Sequence, residues 1–141
     1  MRSSRAARRA AALAVLIAPG IAGCSSTSVL ALEVGDCMQS ADLFGGSVSD
    51  VATVACSEPH DAEIFDAKEL PEGDYPGIDA VRAEAEDFCL PAFQDFAGIS
   101  YVDSVLDVYP LLPTEDSWEA SGDRSILCIV VAPQPVTETL A

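Results

Sequence analysis

Positive charge is scarce in this sequence, and its distribution divides the chain in two. The 141 residues contain 7 lysines and arginines against 23 aspartates and glutamates. Four of the seven cations fall in the first nine residues, so the chain beyond residue 23 keeps three cations against all 23 acids, a formal charge of −20. Such a body repels phosphate backbones, because nucleic-acid affinity comes largely from lysine and arginine. Nucleic-acid binding is therefore excluded, and a protein partner is expected to present a basic surface.

Motifs for catalysis and metal binding are also absent. The sequence has one histidine, no C-x-x-C pair, no G-x-S-x-G elbow and no D-x-D-x-D-G calcium loop. Only 6% of its residues are aromatic, which leaves few rings to stack on sugars and disfavours a glycoside hydrolase. The sequence predicts a protein that is not an enzyme and that needs no cofactor and no metal ion.

Residues 1–23 are typical of a lipoprotein signal peptide. A basic stretch precedes the apolar run 10–18, which is shorter than the roughly 20 residues that a membrane span needs. The segment Ile21-Ala22-Gly23-Cys24 resembles a bacterial lipobox, in which the cysteine accepts a diacylglycerol and palmitate is a typical acyl chain. We expect lipidation of Cys24 and a location on the outer face of the cell membrane. The alternative is ordinary cleavage near Gly23, which would release a soluble protein.

The expected domain plan follows from this anchor. Residues 24–28 form a polar tether of about 15 to 20 Å, residues 29–132 an extracytoplasmic domain, and residues 133–141 an unstructured tail. Strands are predicted near residues 29–34, 51–56, 62–70, 105–112 and 125–132. Helical spacing begins at Ile78 and ends at Gly98, with Pro91 predicted to restart or kink the helix, and Thr114 is the predicted cap of a short helical turn. The fold class is α+β, a mainly antiparallel sheet packed against one helical segment.

Five cysteines are present, and a lipid on Cys24 leaves an even set of four: Cys37, Cys56, Cys89 and Cys128. In an exported chain this set predicts two disulfides, with three connectivities open. The turn at residues 44–47 favours Cys37 with Cys56, and therefore Cys89 with Cys128. These pairs close loops of about 20 and 40 residues, worth about 3 and 4 kcal/mol in the chain-entropy model.

Several short motifs follow one another along the chain: the segments 34–37, 54–65 and 89–93, then Trp118, and then Gly122-Asp123-Arg124 ahead of Cys128. Their order resembles the septum formation-related domain of actinobacterial envelope proteins. The resemblance covers residues 34 to 131 and includes all four paired cysteines. It implies an extracytoplasmic, membrane-associated domain linked by name to cell division, with no catalytic residues to carry over.

Four further residues are candidates for binding because each is rare or charged: His60, Glu63, Trp118 and Arg124. The structural interpretation is that His60 shapes a corner, Trp118 covers a sheet edge, and Arg124 pairs with Asp123, Glu63 or Asp36. The functional alternative is a small-ligand or metal pocket formed by His60, Glu63 and Arg124. The leading hypothesis is a non-enzymatic, lipid-anchored domain that binds another envelope component and is connected with septum formation.

Overall fold

A six-stranded antiparallel sheet forms the centre of the domain. The computed structural model describes residues 25–44 and 48–141. Within them the strand order is β1-β3-β2-β4-β6-β5. The strands are β1 (Ser25–Ser28), β2 (Cys37–Met38), β3 (Asp50–Val54), β4 (His60–Glu69), β5 (Asp107–Leu111) and β6 (Ser125–Val136). The helices are α1 (Ile78–Ala97), α2 (Glu115–Ser121) and three 3-10 turns at Val29–Ala31, Ser40–Asp42 and Tyr101–Asp103. This architecture confirms the α+β prediction.

Strand β6 has buried residues on both faces of the sheet. Ile126, Cys128 and Val130 pack in the cluster that contains α1, whereas Leu127 and Ile129 pack in a second cluster on the opposite face. All five are buried, as the continuous apolar run predicted. The sheet therefore separates two hydrophobic clusters.

Helix α1 covers the first face with the apolar side that its spacing predicted. Val81, Ala85, Cys89 and Phe93 are buried, and the helix ends at Gly98 in the left-handed conformation at φ 71°. The helix is continuous through Pro91, so the predicted restart is wrong. Pro91 is exposed, and we attribute its tolerance to water that can satisfy the carbonyl left without an N–H donor.

The N-terminal end of the described chain differs from the prediction. Ser25–Ser28 pairs with β3 as an edge strand instead of forming a free tether, because backbone pairing does not require apolar side chains at an edge. The Thr27 and Thr53 hydroxyls add a cross-strand hydrogen bond of 3.1 Å. The predicted strand at 29–34 is instead a 3-10 turn that leads to Leu32, which is buried against the second face.

The C-terminal segment also differs from the prediction, because residues 133–141 are not an unstructured tail. Strand β6 continues to Val136, and Leu140 is buried in the α1-facing cluster. The sequence did not predict this extension because it contains Pro133 and Pro135, and proline has no N–H group to donate to a sheet ladder. A buried carboxylate on β4, described below, holds the segment in place.

Candidate functional site

Two disulfides secure the elements around the candidate residues. Cys37 on β2 bonds to Cys56, which follows β3, with a Cα–Cα distance of 5.3 Å. Cys89 on α1 bonds to Cys128 on β6, with a Cα–Cα distance of 5.5 Å. This is the pairing favoured from the sequence. Three segments used in the predictions lie outside the described residues: the signal peptide 1–23, Cys24, and residues 45–47 of the predicted turn.

The structure does not bring His60, Glu63 and Arg124 together. Glu63 faces Val130 across the β4–β6 ladder, whereas the Arg124 carbonyl accepts a hydrogen bond from the Leu70 amide near its far end. Seven residues of strand separate Glu63 from Leu70, a distance of about 20 Å at roughly 3.3 Å per residue. The hypothesis of a three-residue pocket is therefore wrong.

Glu63 is a structural residue in this fold. Its side chain projects towards the C-terminal segment and the residue is only 5% exposed. The carboxylate accepts hydrogen bonds from the Thr139 hydroxyl at 2.9 and 3.0 Å and from the Leu140 amide at 2.7 Å. These donors satisfy a buried charge, so Glu63 fixes the end of the chain and offers no open ligand site.

Trp118 and Arg124 form one structural cluster with Tyr75, here called the Trp118 cluster. The Arg124 guanidinium lies 3.7 Å from the centre of the Trp118 ring and donates to the carbonyls of Trp118 and Asp123, each at 3.0 Å. Its ionic partner is Glu72, at 3.4 Å, and not one of the three acids predicted. The indole Nε1 donates to the Gly73 carbonyl at 2.8 Å.

The Trp118 cluster therefore fastens the loop at residues 72–75 to α2 and the start of β6. Trp118 is 4% exposed and its ring already carries Arg124, so it cannot serve as a platform for a ligand. Thr114 caps α2 as predicted: its hydroxyl accepts from the Ser117 amide in a capping box. Tyr75 packs on the Trp118 ring edge, and burial, with a further contribution from Glu115, raises the pKa of its phenol.

His60 is fully buried at the start of β4. Its Nδ1 lies 2.8 Å from the Glu58 carbonyl, and its Nε2 has no hydrogen-bond partner among the described residues. A serine hydrolase needs a histidine that contacts a nucleophile and an orienting acid, whereas within residues 25–44 and 48–141 this ring hydrogen-bonds to a backbone carbonyl alone. The corner role predicted for His60 agrees with this geometry.

An open groove of about 620 Å³ lies on the second face of the sheet. Tyr109, Leu111 and Leu127 contribute apolar lining, and hydroxyls and two carboxylates contribute polar lining. The polar side chains are those of Ser28, Ser49, Thr114, Asp116, Ser117, Ser121, Asp123 and Ser125. Among the described residues that line it, none is a lysine, arginine or histidine.

Sequence reasoning did not find this groove. Its lining comes from β1, the segment before β3, β5, α2 and the start of β6, so no local motif carries it. Serines and acids are common at surfaces, and nothing in their spacing distinguishes the groove residues from the others.

None of the helices in the described part of the chain is long and apolar enough to cross a membrane.

The fold and its contacts define a class: a small α+β domain secured by two disulfides, with an acidic groove on one sheet face. The family model described as Septum formation matches residues 34–141. The chain therefore belongs to the Septum formation family, as the motif order predicted.

Similar curated proteins include two uncharacterised membrane proteins, from two strains of Mycobacterium tuberculosis. Each is 26% identical over 117 residues, which cover 76% of this chain and 25% of the relative. The chain thus spans about a quarter of the length of the curated relatives it matches. No solved structure matches the chain.

Proposed function

We propose that this protein is a non-enzymatic, lipid-anchored domain of the cell envelope, and that its groove binds a cationic segment of another envelope protein. The family name connects the domain with septum formation, and the division apparatus is the setting in which we place the partner. The observation that carries the proposal is the groove on the second sheet face, with carboxylates and hydroxyls above an apolar floor.

Charge complementarity selects the class of occupant. Asp116 and Asp123 line the groove, none of the described lining residues is basic, and the chain beyond residue 23 has a formal charge of −20. Lysine or arginine side chains of a partner would gain from both the local carboxylates and the long-range field. The apolar floor can take the aliphatic stems or neighbouring apolar residues of the same segment. An anionic partner would meet repulsion at every step of its approach.

Binding is favoured over catalysis by the surroundings of the buried side chains. His60 contacts a backbone carbonyl, and Glu63 is fully engaged by the C-terminal segment. Neither group reaches the groove lining. A general acid or base must come within hydrogen-bond reach of the substrate, and these two do not meet that requirement at the groove.

The anchor proposed on Cys24 would set where the groove operates. Ser25, the next residue, is already paired with Thr53 at the edge of the sheet. A lipid on Cys24 would hold that edge about one residue length, roughly 3.5 Å, from the attachment point. Because Ser28 at the end of β1 also lines the groove, the partner segment would be bound close to the membrane surface.

The groove is tested with a synthetic peptide rich in lysine and arginine and a matched pair of charge-removing variants. Asp116→Asn lies in the groove, whereas Glu119→Gln removes the same charge from the same helix outside it. We expect Asp116→Asn to weaken peptide binding about three- to fivefold, the size of one exposed charge pair, and Glu119→Gln to leave it nearly unchanged. Isothermal titration at low and physiological salt measures both. Equal losses in the two variants would show binding to general surface charge and would reject the groove.

The partner itself is sought in intact cells. A photo-crosslinking residue at Ser121, on the groove, is compared with one at Ala83, on the exposed side of α1. We expect Ser121 to capture a discrete envelope protein with a basic segment, and Asp116→Asn to reduce that product. Identical products at the two positions would contradict a groove-specific partner.

The anchor is tested separately with Cys24→Ala. We expect the wild-type protein to stay with the membrane after an alkaline wash and the variant to be lost from it, because two acyl chains suffice for stable attachment. Mass spectrometry of the N-terminal peptide is the direct measurement. An unmodified Cys24 in the wild-type protein would refute the anchor without affecting the groove.

A further inference from the structure

Three side chains with metal-binding atoms meet at one corner of the sheet. The sulfur atoms of Cys37 and Cys56 and a ring nitrogen of His60 all lie within 4.8 Å of one another. Cys37 and His60 are fully buried, and Cys56 is partly exposed. In the oxidised protein the two sulfurs are bonded to each other, so neither is a thiolate ligand.

The hydrogen bonding of His60 prepares the ring for a metal. Its Nδ1 lies 2.8 Å from the Glu58 carbonyl, which can only accept a hydrogen bond, so Nδ1 carries the proton. The neutral ring then has its lone pair on Nε2, which is buried and has no partner among the described residues. Metal-binding histidines typically use the same arrangement, with the second nitrogen donating to a carbonyl. A buried acceptor without a donor is costly, and a metal ion would satisfy it.

The distances fit one small cation. Zn–S bonds are about 2.3 Å and Zn–N bonds about 2.0 Å, so ligand atoms around a tetrahedral zinc ion lie roughly 3.5 to 4 Å apart. The two sulfurs and the nearer ring nitrogen of His60 lie within 4.8 Å of one another, which is close to that spacing. Reduction need only let the two sulfurs separate by about 2 Å, a movement that the side-chain torsions of Cys56, which follows β3, can supply.

We propose that reduction of the Cys37–Cys56 disulfide creates a metal site, in which both thiolates and His60 bind a thiophilic cation such as Zn²⁺. A dithiol reductant supplies two electrons and two protons: the S–S bond breaks, two thiols form, and the reductant closes its own disulfide. Metal binding then releases the two thiol protons. Water completes a tetrahedral shell, since the three side chains leave one position open.

The second disulfide, Cys89–Cys128, differs from the first in exposure and in its surroundings. Cys89 and Cys128 are both fully buried, and the metal-ligand group found among the described residues does not include them. A reductant should therefore reach the pair that includes the partly exposed Cys56 first, while the helix stays bonded to the sheet. The site would act as a redox-dependent sensor or store of metal at the edge of the domain, independently of the proposed groove.

Cobalt(II) is the probe, because its thiolate charge-transfer and d–d bands report both sulfur ligation and tetrahedral geometry. The full chain without a histidine tag carries Cys24→Ala, so that no third thiol competes. Mild reduction with a phosphine, followed by its removal, is checked by alkylation and mass spectrometry for two free thiols at Cys37 and Cys56. We expect one cobalt ion per chain after reduction, displaced by Zn²⁺, and none in the oxidised protein.

Two variants assign the ligands. We expect His60→Gln to weaken binding about tenfold or more and the double change Cys37→Ser with Cys56→Ser to abolish it. Glu58→Gln, which changes an exposed carboxylate beside the site and leaves its backbone carbonyl in place, should bind as the parent does. Full affinity in His60→Gln, or equal binding by oxidised and reduced protein, would overturn the proposal.

One measurement needs no substitution at the site. His60 is the single histidine of the chain, so its imidazole nitrogen signals in an NMR spectrum are assigned without ambiguity. We expect Zn²⁺ to shift the Nε2 signal strongly in the reduced protein and to leave it unchanged in the oxidised protein. An unshifted Nε2 signal in reduced, zinc-treated protein would reject His60 as a ligand.

Discussion

At the scale of single residues, Arg124 shows how much one side chain can organise. It stacks on Trp118, donates to two carbonyls and reaches Glu72, while its side chain is only 12% exposed. The planar guanidinium is required for this combination, because an ammonium group lacks both the flat face and the fork of donors. Arg124 is one of three cations beyond residue 23, and its contacts place it in the packing of the Trp118 cluster.

Replacing Arg124 by lysine tests this assignment. We expect Arg124→Lys to lower the free energy of unfolding by about 1 to 2 kcal/mol, since the charge remains while stacking and the fork of hydrogen bonds are lost. Urea denaturation followed by Trp118 fluorescence measures the change. Arg82→Lys, at an exposed position on α1, should stay within about 0.5 kcal/mol of the parent. Equal effects of the two variants would contradict the stacking role.

Tyr75 gives the Trp118 cluster a pH dependence. Burial, reinforced by the charge of Glu115, raises the pKa of its phenol above the ordinary value. The phenol is neutral in both the folded and the unfolded chain below about pH 10, so its contribution to stability is complete there. Above that pH the unfolded chain loses its proton more readily, and the free energy of unfolding falls as pH rises through the folded pKa.

Alkaline denaturation of Tyr75→Phe is the matching measurement. We expect the wild-type protein to lose stability more steeply above about pH 10 than the variant, which has no phenol to ionise at this position. Tyr101→Phe, at an exposed tyrosine outside the Trp118 cluster, serves as the control and should follow the wild-type curve. Parallel curves for wild type and Tyr75→Phe would refute the contribution.

The roles of some candidate binding residues could be predicted from the sequence, and the role of Glu63 could not. The corner role of His60 and the structural role of Trp118 follow from residue type, because buried rings need packing and hydrogen-bond partners. The burial of Glu63 could not be read from its neighbours, since its donors, Thr139 and Leu140, lie more than 70 residues away in the sequence. Position in space, and not residue type, decides whether a carboxylate binds a ligand or a backbone amide.

At the scale of elements, local patterns predicted the interior and missed the two ends. Helix α1, the α2 cap and the buried run of β6 all carry strong local signals: helical spacing, a capping threonine and consecutive apolar residues. Strand β1 is a run of serine and threonine, and β6 extends through two prolines. Neither end has a local pattern of apolar residues. Strand β1 is held by pairing with β3, and the end of β6 by pairing with β4.

The attachment of the C-terminal segment is testable at Thr139. Thr139→Val removes the hydroxyl that contacts both Glu63 oxygens, and we expect a loss of about 1 kcal/mol in the free energy of unfolding. Amide hydrogen exchange at Leu140 should accelerate, because its bond to Glu63 loses a supporting donor. Thr137→Val, at an exposed position of the same segment, should change neither quantity. Unchanged exchange at Leu140 in Thr139→Val would contradict the attachment.

At the scale of the whole molecule, covalent bonds oppose electrostatic repulsion. A formal charge of −20 beyond residue 23 disfavours compaction, and only three cations are available there to offset it. The two disulfides restrict the unfolded chain by about 3 and 4 kcal/mol, comparable to the whole stability of a small domain. The Cys37–Cys56 bond joins β2 to the segment after β3, and the Cys89–Cys128 bond joins α1 to β6.

The repulsion among the acidic side chains predicts that salt raises the thermal stability of the domain. We expect the melting temperature to rise as sodium chloride increases from 0.01 to 0.15 M, because the Debye length falls from about 30 Å to about 8 Å and like charges are screened. Differential scanning calorimetry of the oxidised protein measures it. Matched potassium chloride should give the same curve if screening is the cause. A melting temperature that falls or stays constant would show that attractive ion pairs outweigh the repulsion.

The sequence by itself determined the properties that depend on composition and on local pattern. These are the acidic charge, the even set of four cysteines beyond Cys24, the α+β class and the order of motifs that places the chain in its family. The charge and the cysteine set follow from residue counts, the fold class from local periodicity, and the family from the order of short motifs along the chain.

Only the tertiary structure decided what the scattered residues do together. It separated Glu63 from Arg124, paired Ser25–Ser28 with β3, buried Leu140 and placed His60 beside the Cys37–Cys56 bond. It also assembled the groove from five separate segments. The physical reason is that hydrogen bonds, ion pairs and packing act over a few ångströms, and residues distant in sequence reach that range only when the chain is folded.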